Sequence, residues 1–314
     1  MTLLVFGRTG QVATELRRLA DVVSLGRDAA DLSDPQACAE VIRIRAPRAV
    51  INAAAYTAVD RAEKEEPLAT CINGAAPAAM AEACAALDIP FVHISTDYIF
   101  DGSGATPWVA TDVTAPQSAY GRSKLVGETG VRAARGRYAI LRTSWVFSAH
   151  GANFVKTMLR LAANRDHLNV VADQIGGPTP ARVIAEACLV IADQLAQDAS
   201  KSGVYHFSGA PDTSWHEFAE SIFARAGRKV SVKPILTRDY PTPAARPLNS
   251  RLDCRHTEEV FGLRRPDWRQ ALDAVLKDLE DSNEGTKGHH SGRRLRHAAL
   301  SDHHGRVEAA SADL

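Results

Sequence analysis

The sequence predicts an α/β protein built on a doubly wound parallel sheet, with a smaller substrate-binding lobe toward the C-terminus. Short apolar runs alternate with longer segments of helical periodicity through the first 145 residues. This alternation is typical of a parallel sheet covered by helices on both faces. A glycine-containing turn also follows the first apolar run and opens a helix. Together these two observations predict a Rossmann-type sheet.

Five strands are predicted, each nearly all apolar because strands inside a parallel sheet are buried on both faces. They span residues 2–6, 22–25, 49–52, 91–95 and 138–142. Three helices are predicted in the same region. The first spans residues 11–20, and the third runs from residue 117 to about residue 135. The second follows a capping box that begins at Ser33 and extends to about residue 45.

The alternation loosens after residue 145, where segments with proline and glycine separate shorter helices. One of these helices is predicted at 215–226, after a capping box at Ser214. We therefore predict a dinucleotide-binding core at 1–145 and mainly a substrate-binding lobe, with some return to the core, at 146–280. Residues 281–314 contain five histidines and no aromatic residue, which predicts a disordered tail.

Composition excludes several classes of protein. The 37 basic and 37 acidic residues cancel, so there is no cationic surplus for binding nucleic acid. The five cysteines are scattered without a CxxC pair, which favours reduced thiols in a cytoplasmic protein. No apolar run reaches the length of about 18 residues that a membrane helix needs. We expect no nucleic-acid partner and no membrane association.

The turn GRTGQVA directly follows the first predicted strand. Gly7 permits a tight turn, Gly10 lets the backbone approach a pyrophosphate, and Ala13 allows close packing of the helix. The helix N-terminus at Gln11 and Val12 offers N–H groups and a positive dipole end to the anion. The alternative is a strand-to-helix turn that needs glycine only for a positive φ.

Arg27 follows the second predicted strand, where an NAD-preferring fold usually presents an acidic residue. A fixed cation suits the 2′-phosphate of NADPH, so NADPH is the predicted cofactor and NADH the alternative. Asp31 and Leu32 lie just downstream and are predicted to contact the adenine. A solvated arginine and a plain turn residue are the alternative interpretations at these positions.

Tyr120 and Lys124 are four residues apart on a predicted helix and share one face. An ammonium beside a phenol is expected to lower the phenol pKa and make it a useful acid. Thr96, at the carboxyl end of a predicted strand, is expected to hydrogen bond to the same substrate oxygen. His93 lies inside that strand and is predicted to be a core histidine.

Seven motifs occur in order along the chain: GRTGQ, NAAAYTAVDRAE, STDYIFDG, YGRSK, LRTSWVF, DQIGGPT and RPLNSRLD. Together they resemble the dTDP-4-dehydrorhamnose reductases, which are extended short-chain dehydrogenases/reductases, from residue 2 to about residue 279. The resemblance implies an oxidoreductase that uses NADPH or NADH. Its reaction would reduce the C4 keto group of dTDP-6-deoxy-L-lyxo-4-hexulose to give dTDP-L-rhamnose.

The resemblance also implies roles for individual residues. In that family a tyrosine donates the proton, a lysine assists through the cofactor ribose and a threonine completes the oxygen site, which correspond to Tyr120, Lys124 and Thr96. Cofactor contacts would fall on Gly10, Gln11, Val12, Asp31, Leu32, Ala55, Tyr56 and Thr57. Sugar-nucleotide contacts would fall on Thr96, Asp97 and Trp145, although a tryptophan after a buried strand also suits a core position.

Some members of the family are described as needing Mg²⁺, held by acidic side chains that bridge two subunits. Glu15 and Asp278 could contribute here, but Arg182 stands where another acid would be wanted. A cation among oxygen ligands is repulsive, so no metal site is predicted. The working form would be a monomer or a homodimer.

Two other functions remain open at this stage. A related dTDP-ketosugar 4-reductase would use the same residues on a different substrate. The fold also occurs in a non-catalytic regulatory subunit of methionine adenosyltransferase, which would not need an aligned phenol, ammonium and hydroxyl.

Overall fold

The computed structural model describes residues 2–288, and the side chains of residues 2–282. Six strands form a parallel sheet in the order β10-β5-β4-β3-β1-β2. In chain order, the strands are β1 (Leu3–Phe6), β2 (Val22–Leu25), β3 (Ala49–Asn52), β4 (Phe91–Thr96), β5 (Tyr138–Thr143), β6 (Val146–Phe147), β7 (His167–Val171), β8 (Ile175–Gly176), β9 (Thr179–Pro180), β10 (Gly203–His206), β11 (Thr213–Ser214), β12 (Ser231–Ile235) and β13 (Asn249–Ser250).

The helices connect these strands and cover the sheet. In chain order they are α1 (Gln11–Leu19), α2 (Pro35–Arg45), α3 (Val59–Ala62), α4 (Glu66–Thr70), α5 (Ala76–Ala86), α6 (Ala119–Ala133), α7 (Phe154–Leu161), α8 (Ala181–Gln197), α9 (Trp215–Arg225), α10 (Arg255–Phe261) and α11 (Trp268–Gly288). A π-helical turn, Cys71–Ala75, joins α4 to α5.

Helices pack on both faces of the sheet, which confirms the doubly wound α/β class. One face is covered by α1 and α8 and includes the buried side chains of Leu16 and Ile184. The other is covered by α2, α5 and α6 and includes Ile42 and Met80. Because apolar side chains are removed from water on both faces, this two-sided core stabilises the sheet.

A third apolar cluster forms a smaller body around α7, α9 and the start of α11. Trp145, Phe154, Trp215, Phe218 and Trp268 are all buried in it. The box Ser214–Glu217 caps α9, with Ser214 Oγ accepting from Glu217 N at 3.0 Å and Glu217 Oε2 accepting from Ser214 N at 2.9 Å. This structure confirms the capping box that the sequence predicts at Ser214.

Two sequence expectations need correction. Asp34, and not Ser33, caps α2: its Oδ1 accepts from Ala37 N at 3.0 Å. The chain after residue 145 adds a sixth strand, β10, to the five predicted within the first 145 residues, so part of the later chain returns to the main sheet. The last helix continues to Gly288, so the predicted disordered tail does not begin at residue 281. Residues 289–314 of that tail lie outside the described residues.

Within residues 2–288, no helix combines the length and the apolar character required to cross a bilayer.

Candidate active site

A cleft of about 950 Å³ lies at the carboxyl ends of β1 to β5. This is the edge at which open α/β sheets bind their ligands. The sequence-predicted site residues that line it are Gly7, Gly10, Gln11, Val12, Arg27, Asp31, Leu32, Ala55, Thr57, Thr96, Asp97, Tyr120, Lys124 and Trp145. The fold therefore brings almost all of the predicted site together.

The turn between β1 and α1 forms the floor of one end of the cleft. Gly7 has φ +117°, a conformation that favours glycine, and a Cβ there would lie 3.2 Å from Ala13 Cβ and 3.3 Å from Ala53. Gly10 is the N-cap of α1 and has no side chain to satisfy the first N–H groups of the helix. Such a helix end can hold an anion.

Two arginines lie near the end of β2. Arg27 lines the cleft, as predicted, and is exposed. Arg8, which sequence reasoning missed, also lines it and forms a 3.6 Å ion pair with Asp28. Asp31 Oδ1 accepts from Ser33 N at 2.9 Å. Hydrogen bonds from Ser33, with a smaller contribution from the charge of Arg27, hold the pKa of Asp31 below its ordinary value.

The first turn of α6 carries Tyr120 into the cleft. Ser118 caps this helix, with its Oγ accepting from Gly121 N at 3.2 Å. Gly121 lets the helix approach the turn after β4, because a Cβ there would lie 2.2 Å from Tyr98 O. This close approach places Tyr120 beside Thr96, with which its side chain forms a hydrogen bond.

The expected effect of Lys124 on the tyrosine is not found in the structure. Burial, with a smaller contribution from the charge of Asp97, raises the pKa of Tyr120 to about 12 against the hydrogen bond with Thr96, which lowers it. Lys124 Nζ instead donates to Ile94 O at 2.6 Å. The phenol is therefore protonated at neutral pH, which is the form that a proton donor requires.

Burial also shifts the other ionisable groups of the cleft. It lowers the pKa of Lys124 to about 8, which the charge of Glu128 partly offsets. It raises the pKa of Asp97 to about 6, against hydrogen bonds from Ser250 and Thr96 that lower it. Thr96 Oγ1 donates to Asp97 Oδ1 at 3.1 Å. Each group is thus biased toward its neutral form by desolvation.

Trp145 forms the wall of the cleft next to the smaller body. Its backbone has φ +50°, a left-handed conformation that is uncommon for a bulky residue. Its ring stacks on Trp215 with centroids 3.6 Å apart. Gly176 also lies against the indole, since a Cβ there would be 2.9 Å from it. Trp145 is therefore buried, as the core interpretation predicts, and it also lines the cleft.

Tyr56 is the exception among the predicted cofactor contacts. It is not among the residues that line the cleft, and its hydroxyl donates to Glu65 Oε2 at 2.7 Å. Asn73, in the π-helical turn, accepts from Tyr56 N at 2.8 Å and donates to Ser123 Oγ at 3.0 Å. Asn73 thus joins the loop after β3 to α6, a role that no pattern in the sequence indicated.

The acidic residues considered for Mg²⁺ do not fit a divalent cation. Glu15 is buried, and its Oε1 lies within hydrogen-bond distance of His150 Nε2, at 3.0 Å. Arg18 lies between the two carboxylates, 3.9 Å from Glu15 and 3.8 Å from Asp278. Arg182 pairs with Glu186. Because a guanidinium already lies between the two carboxylates, we derive no step through a metal.

The comparisons with known proteins agree with this geometry. A family model described as the RmlD substrate binding domain matches residues 1–281. A dTDP-4-dehydrorhamnose reductase from Sinorhizobium fredii (strain NBRC 101917 / NGR234) is 45% identical over 281 residues, covering 86% of this chain and 95% of that protein.

Two solved structures are similar over nearly their whole length. The crystal structure of a dTDP-4-dehydrorhamnose reductase from Clostridium acetobutylicum ATCC 824 has a TM-score of 0.84 and 35% identity, covering 89% of this chain and 100% of that chain. The reductase from Bacillus anthracis str. Ames, solved in complex with NADP, has a TM-score of 0.82 and 34% identity, covering 88% and 100%. The chain therefore belongs to the dTDP-4-dehydrorhamnose reductase family.

Proposed function

We propose that this protein reduces the C4 keto group of dTDP-6-deoxy-L-lyxo-4-hexulose to give dTDP-L-rhamnose, with NADPH as the reductant. One observation carries the proposal: the half-buried phenol of Tyr120, the amine of Lys124 and the hydroxyl of Thr96 meet in the same cleft as the glycine turn. The family supports the substrate, since similar proteins are named dTDP-4-dehydrorhamnose reductases. A related dTDP-ketosugar would use the same three groups, and a regulatory subunit would need none of them.

The residues of the cleft fit a dinucleotide. Gly7 and Gly10 leave space that a Cβ would fill, and the N-terminus of α1 faces that space. Arg27 and Arg8 would hold the 2′-phosphate, and Asp31 and Leu32 would contact the adenine. A solved relative was crystallised with NADP, which supports NADPH over NADH. When bound, the reduced nicotinamide supplies a hydride, two electrons and one proton, to the C4 carbon.

The side chains of this protein supply the remaining proton and the alignment. Thr96 and Tyr120 hydrogen bond to the carbonyl oxygen and polarise it. As negative charge develops on that oxygen, Tyr120 transfers its proton to it, so the product is a neutral alcohol. The phenol of Tyr120 is protonated before the reaction, as a donor must be, although the raised pKa of about 12 makes it a weaker acid than an ordinary phenol. Lys124 would hold the ribose, and Asp97 and Trp145 would contact the sugar nucleotide.

The direct test mixes the protein with NADPH and the enzymatically prepared dTDP-ketohexulose, follows the nicotinamide absorbance and identifies the sugar product. We expect consumption of NADPH and formation of dTDP-L-rhamnose. Tyr120→Phe should lower kcat by about 10²- to 10⁴-fold, since it removes the general acid, while NADPH binding changes little. A Tyr120→Phe variant with unchanged kcat would contradict the assigned donor. No turnover with any ketosugar would favour the regulatory subunit.

The remaining proposals concern location and partners. We propose a cytoplasmic protein, which the five free thiols support. Its partner would be a dTDP-sugar, without nucleic acid or membrane, and its working form a monomer or a homodimer.

A further inference from the structure

His93 is a core residue, as predicted, but it also contacts Lys124. It is 0% exposed within β4, and its Nε2 lies 3.3 Å from Lys124 Nζ. On the other side of the ring, Nδ1 lies 3.1 Å from Nδ2 of Asn52. Asn52 and His93 are also direct partners in the register of β3 and β4. Lys124, His93 and Asn52 therefore form a continuous chain of contacts, in which the buried His93 lies between two residues that line the cleft.

The orientation of the Asn52 amide is fixed by Ala54. The backbone N–H of Ala54 donates to Asn52 Oδ1 at 3.2 Å, so the NH₂ group of Asn52 faces His93. An NH₂ group only donates, and His93 Nδ1 must therefore accept. Burial keeps the pKa of His93 well below its ordinary value, so the ring is neutral. Its single proton is then on Nε2, which faces Lys124.

This tautomer distinguishes the two charge states of Lys124. An ammonium has three donors and no acceptor, whereas a neutral amine has a lone pair that can accept Nε2–H. If Lys124 were an ammonium, His93 Nε2 would have to accept its hydrogen bond. The proton of the His93 ring would then have to lie on Nδ1, and the Asn52 amide would have to turn. That rotation would lose the hydrogen bond from Ala54. The fixed amide therefore favours the neutral amine.

Two further titratable groups near Lys124 lie on its own helix. Tyr120 precedes it by one turn, and Glu128 follows it by one turn. Glu128 is fully buried and paired with Arg142 of β5, with Nη2 to Oε2 at 2.7 Å. Its charge raises the pKa of Lys124, but burial dominates. His93 is the titratable group from a neighbouring strand that makes a direct contact with the amine.

We propose that Asn52 and His93 are positioning residues that set the charge state of Lys124: Asn52 fixes the tautomer of His93, and the Nε2–H of His93 favours the uncharged amine. The proposal deepens the proposed function, because Lys124 is the residue assigned to hold the ribose beside Tyr120. A proton exchanges only between Lys124 and solvent, and no covalent bond other than N–H forms or breaks.

The first test reads the tautomer directly, without substrate or cofactor. Long-range ¹H–¹⁵N spectra of the ¹⁵N-labelled full chain distinguish Nδ1–H from Nε2–H, and the loss of signals in His93→Gln assigns the ring. We expect the Nε2–H tautomer in the unmodified protein. A proton on Nδ1, or an imidazolium, would overturn the proposal. This result stands even if the protein reduces no ketosugar.

The second spectroscopic test uses the variant Asn52→Asp. Asn52→Asp keeps an oxygen for the Ala54 N–H but replaces the donor that faces His93 by an acceptor. The ring proton should therefore move to Nδ1, and Nε2 should accept from the Lys124 ammonium. An unchanged tautomer in this folded variant would contradict the coupling. If the variant does not fold, the spectrum of the unmodified protein still decides.

The kinetic test uses the pH dependence of kcat/KM. Lysine is charged below its pKa, so a raised pKa extends the charged form to higher pH. Asn52→Asp should move the basic limb upward by about one pH unit, and the double variant with His93→Gln should lose this shift. Asn169→Asp is the control, since it adds the same charge at an exposed position in β7 and should leave the limb in place. A shift that persists without His93 would indicate a direct charge effect and would overturn the relay.

Discussion

At the scale of single residues, burial affects the phenol and the amine of the cleft in opposite directions. It raises the pKa of Tyr120 to about 12 and lowers that of Lys124 to about 8. Both shifts favour the neutral form, because a low-dielectric environment penalises charge of either sign. Near pH 7 the tyrosine retains its proton, and the lysine is close to the pH at which it loses one. The cleft therefore holds a protonated phenol, which a reductase needs as a proton donor, together with an amine whose charge can change near neutral pH.

The cationic end of the cleft predicts cofactor preference. Arg27→Ala should raise KM for NADPH by about tenfold, and KM for NADH much less, since a charge-assisted contact to the 2′-phosphate is lost only with NADPH. Arg8→Ala should have the smaller effect, because Arg8 already pairs with Asp28. Steady-state kinetics with both cofactors measure this, with Arg43→Ala, an exposed change on α2, as the control. Equal effects on the two cofactors would refute the assignment of Arg27.

At the scale of elements, the helix caps determine where the helices begin. The correction at α2 gives a direct test: Asp34→Ala should lower the free energy of unfolding by about 1 kcal/mol. Ser33→Ala should cost less, because Ser33 Oγ does not cap the helix. Urea unfolding of the two variants compares them. A larger loss of unfolding free energy for Ser33→Ala would instead support Ser33 as the cap, as the sequence predicted.

Close packing of α6 on the π-helical turn provides a second test at this scale. A Cβ at Gly127 would lie 2.1 Å from Asn73 O, so the helix or the turn must shift in Gly127→Ala. We expect a loss of about 1–3 kcal/mol in the free energy of unfolding, together with a lower kcat, because α6 carries Tyr120 and Lys124. Thr129→Ala, two residues further along and exposed, is the control. Unfolding in urea and the rate of NADPH oxidation measure both effects, and equal stability of the two variants would contradict the packing argument.

Elements with strong local signals could be predicted from the sequence. The apolar runs gave β2 and β3 with the bounds that the structure has, and Ser214 indicated the start of α9. Long-range features could be predicted only in part. A return of the later chain to the core was predicted, but not its position as β10, because that position depends on the packing of distant segments. The contact between His93 and Lys124 joins positions 31 residues apart and left no local signal. Tyr56 was assigned to the cofactor from its motif, but its side chain points to Glu65.

At the scale of the whole molecule, a salt bridge joins α3 to the segment before β13. Arg246 donates to both oxygens of Asp60, at 3.0 and 2.9 Å, and Ala244 N donates to Oδ1. Burial raises the pKa of Asp60, but the hydrogen bonds from Arg246 and Ala244 outweigh it, so the pKa is lowered overall. The stabilisation from this pair is therefore complete above the ordinary aspartate pKa of about 4. It is lost as the pH falls through the lower value of the folded protein.

The pair can be tested by Arg246→Lys, which keeps the charge but cannot reproduce the two-oxygen contact. We expect KM for the sugar nucleotide to rise by roughly tenfold, with a smaller change in kcat, because the segment leads to Ser250 beside Asp97. Arg238→Lys, at an exposed position of the same segment, should change neither value. Steady-state kinetics measure both constants. A fall in kcat with unchanged KM would show that the bridge acts on the chemical step instead.

The stacked rings of Trp145 and Trp215 have a further consequence for experiment. The first follows β5 of the main sheet and the second begins α9 of the smaller body, yet their centroids are 3.6 Å apart. Two indoles at this distance couple their electronic transitions, which produces a paired positive and negative band in circular dichroism. Any motion of the chain after β5 relative to α9 would separate the rings and weaken that signal. The unlabelled protein therefore contains an optical probe of this contact.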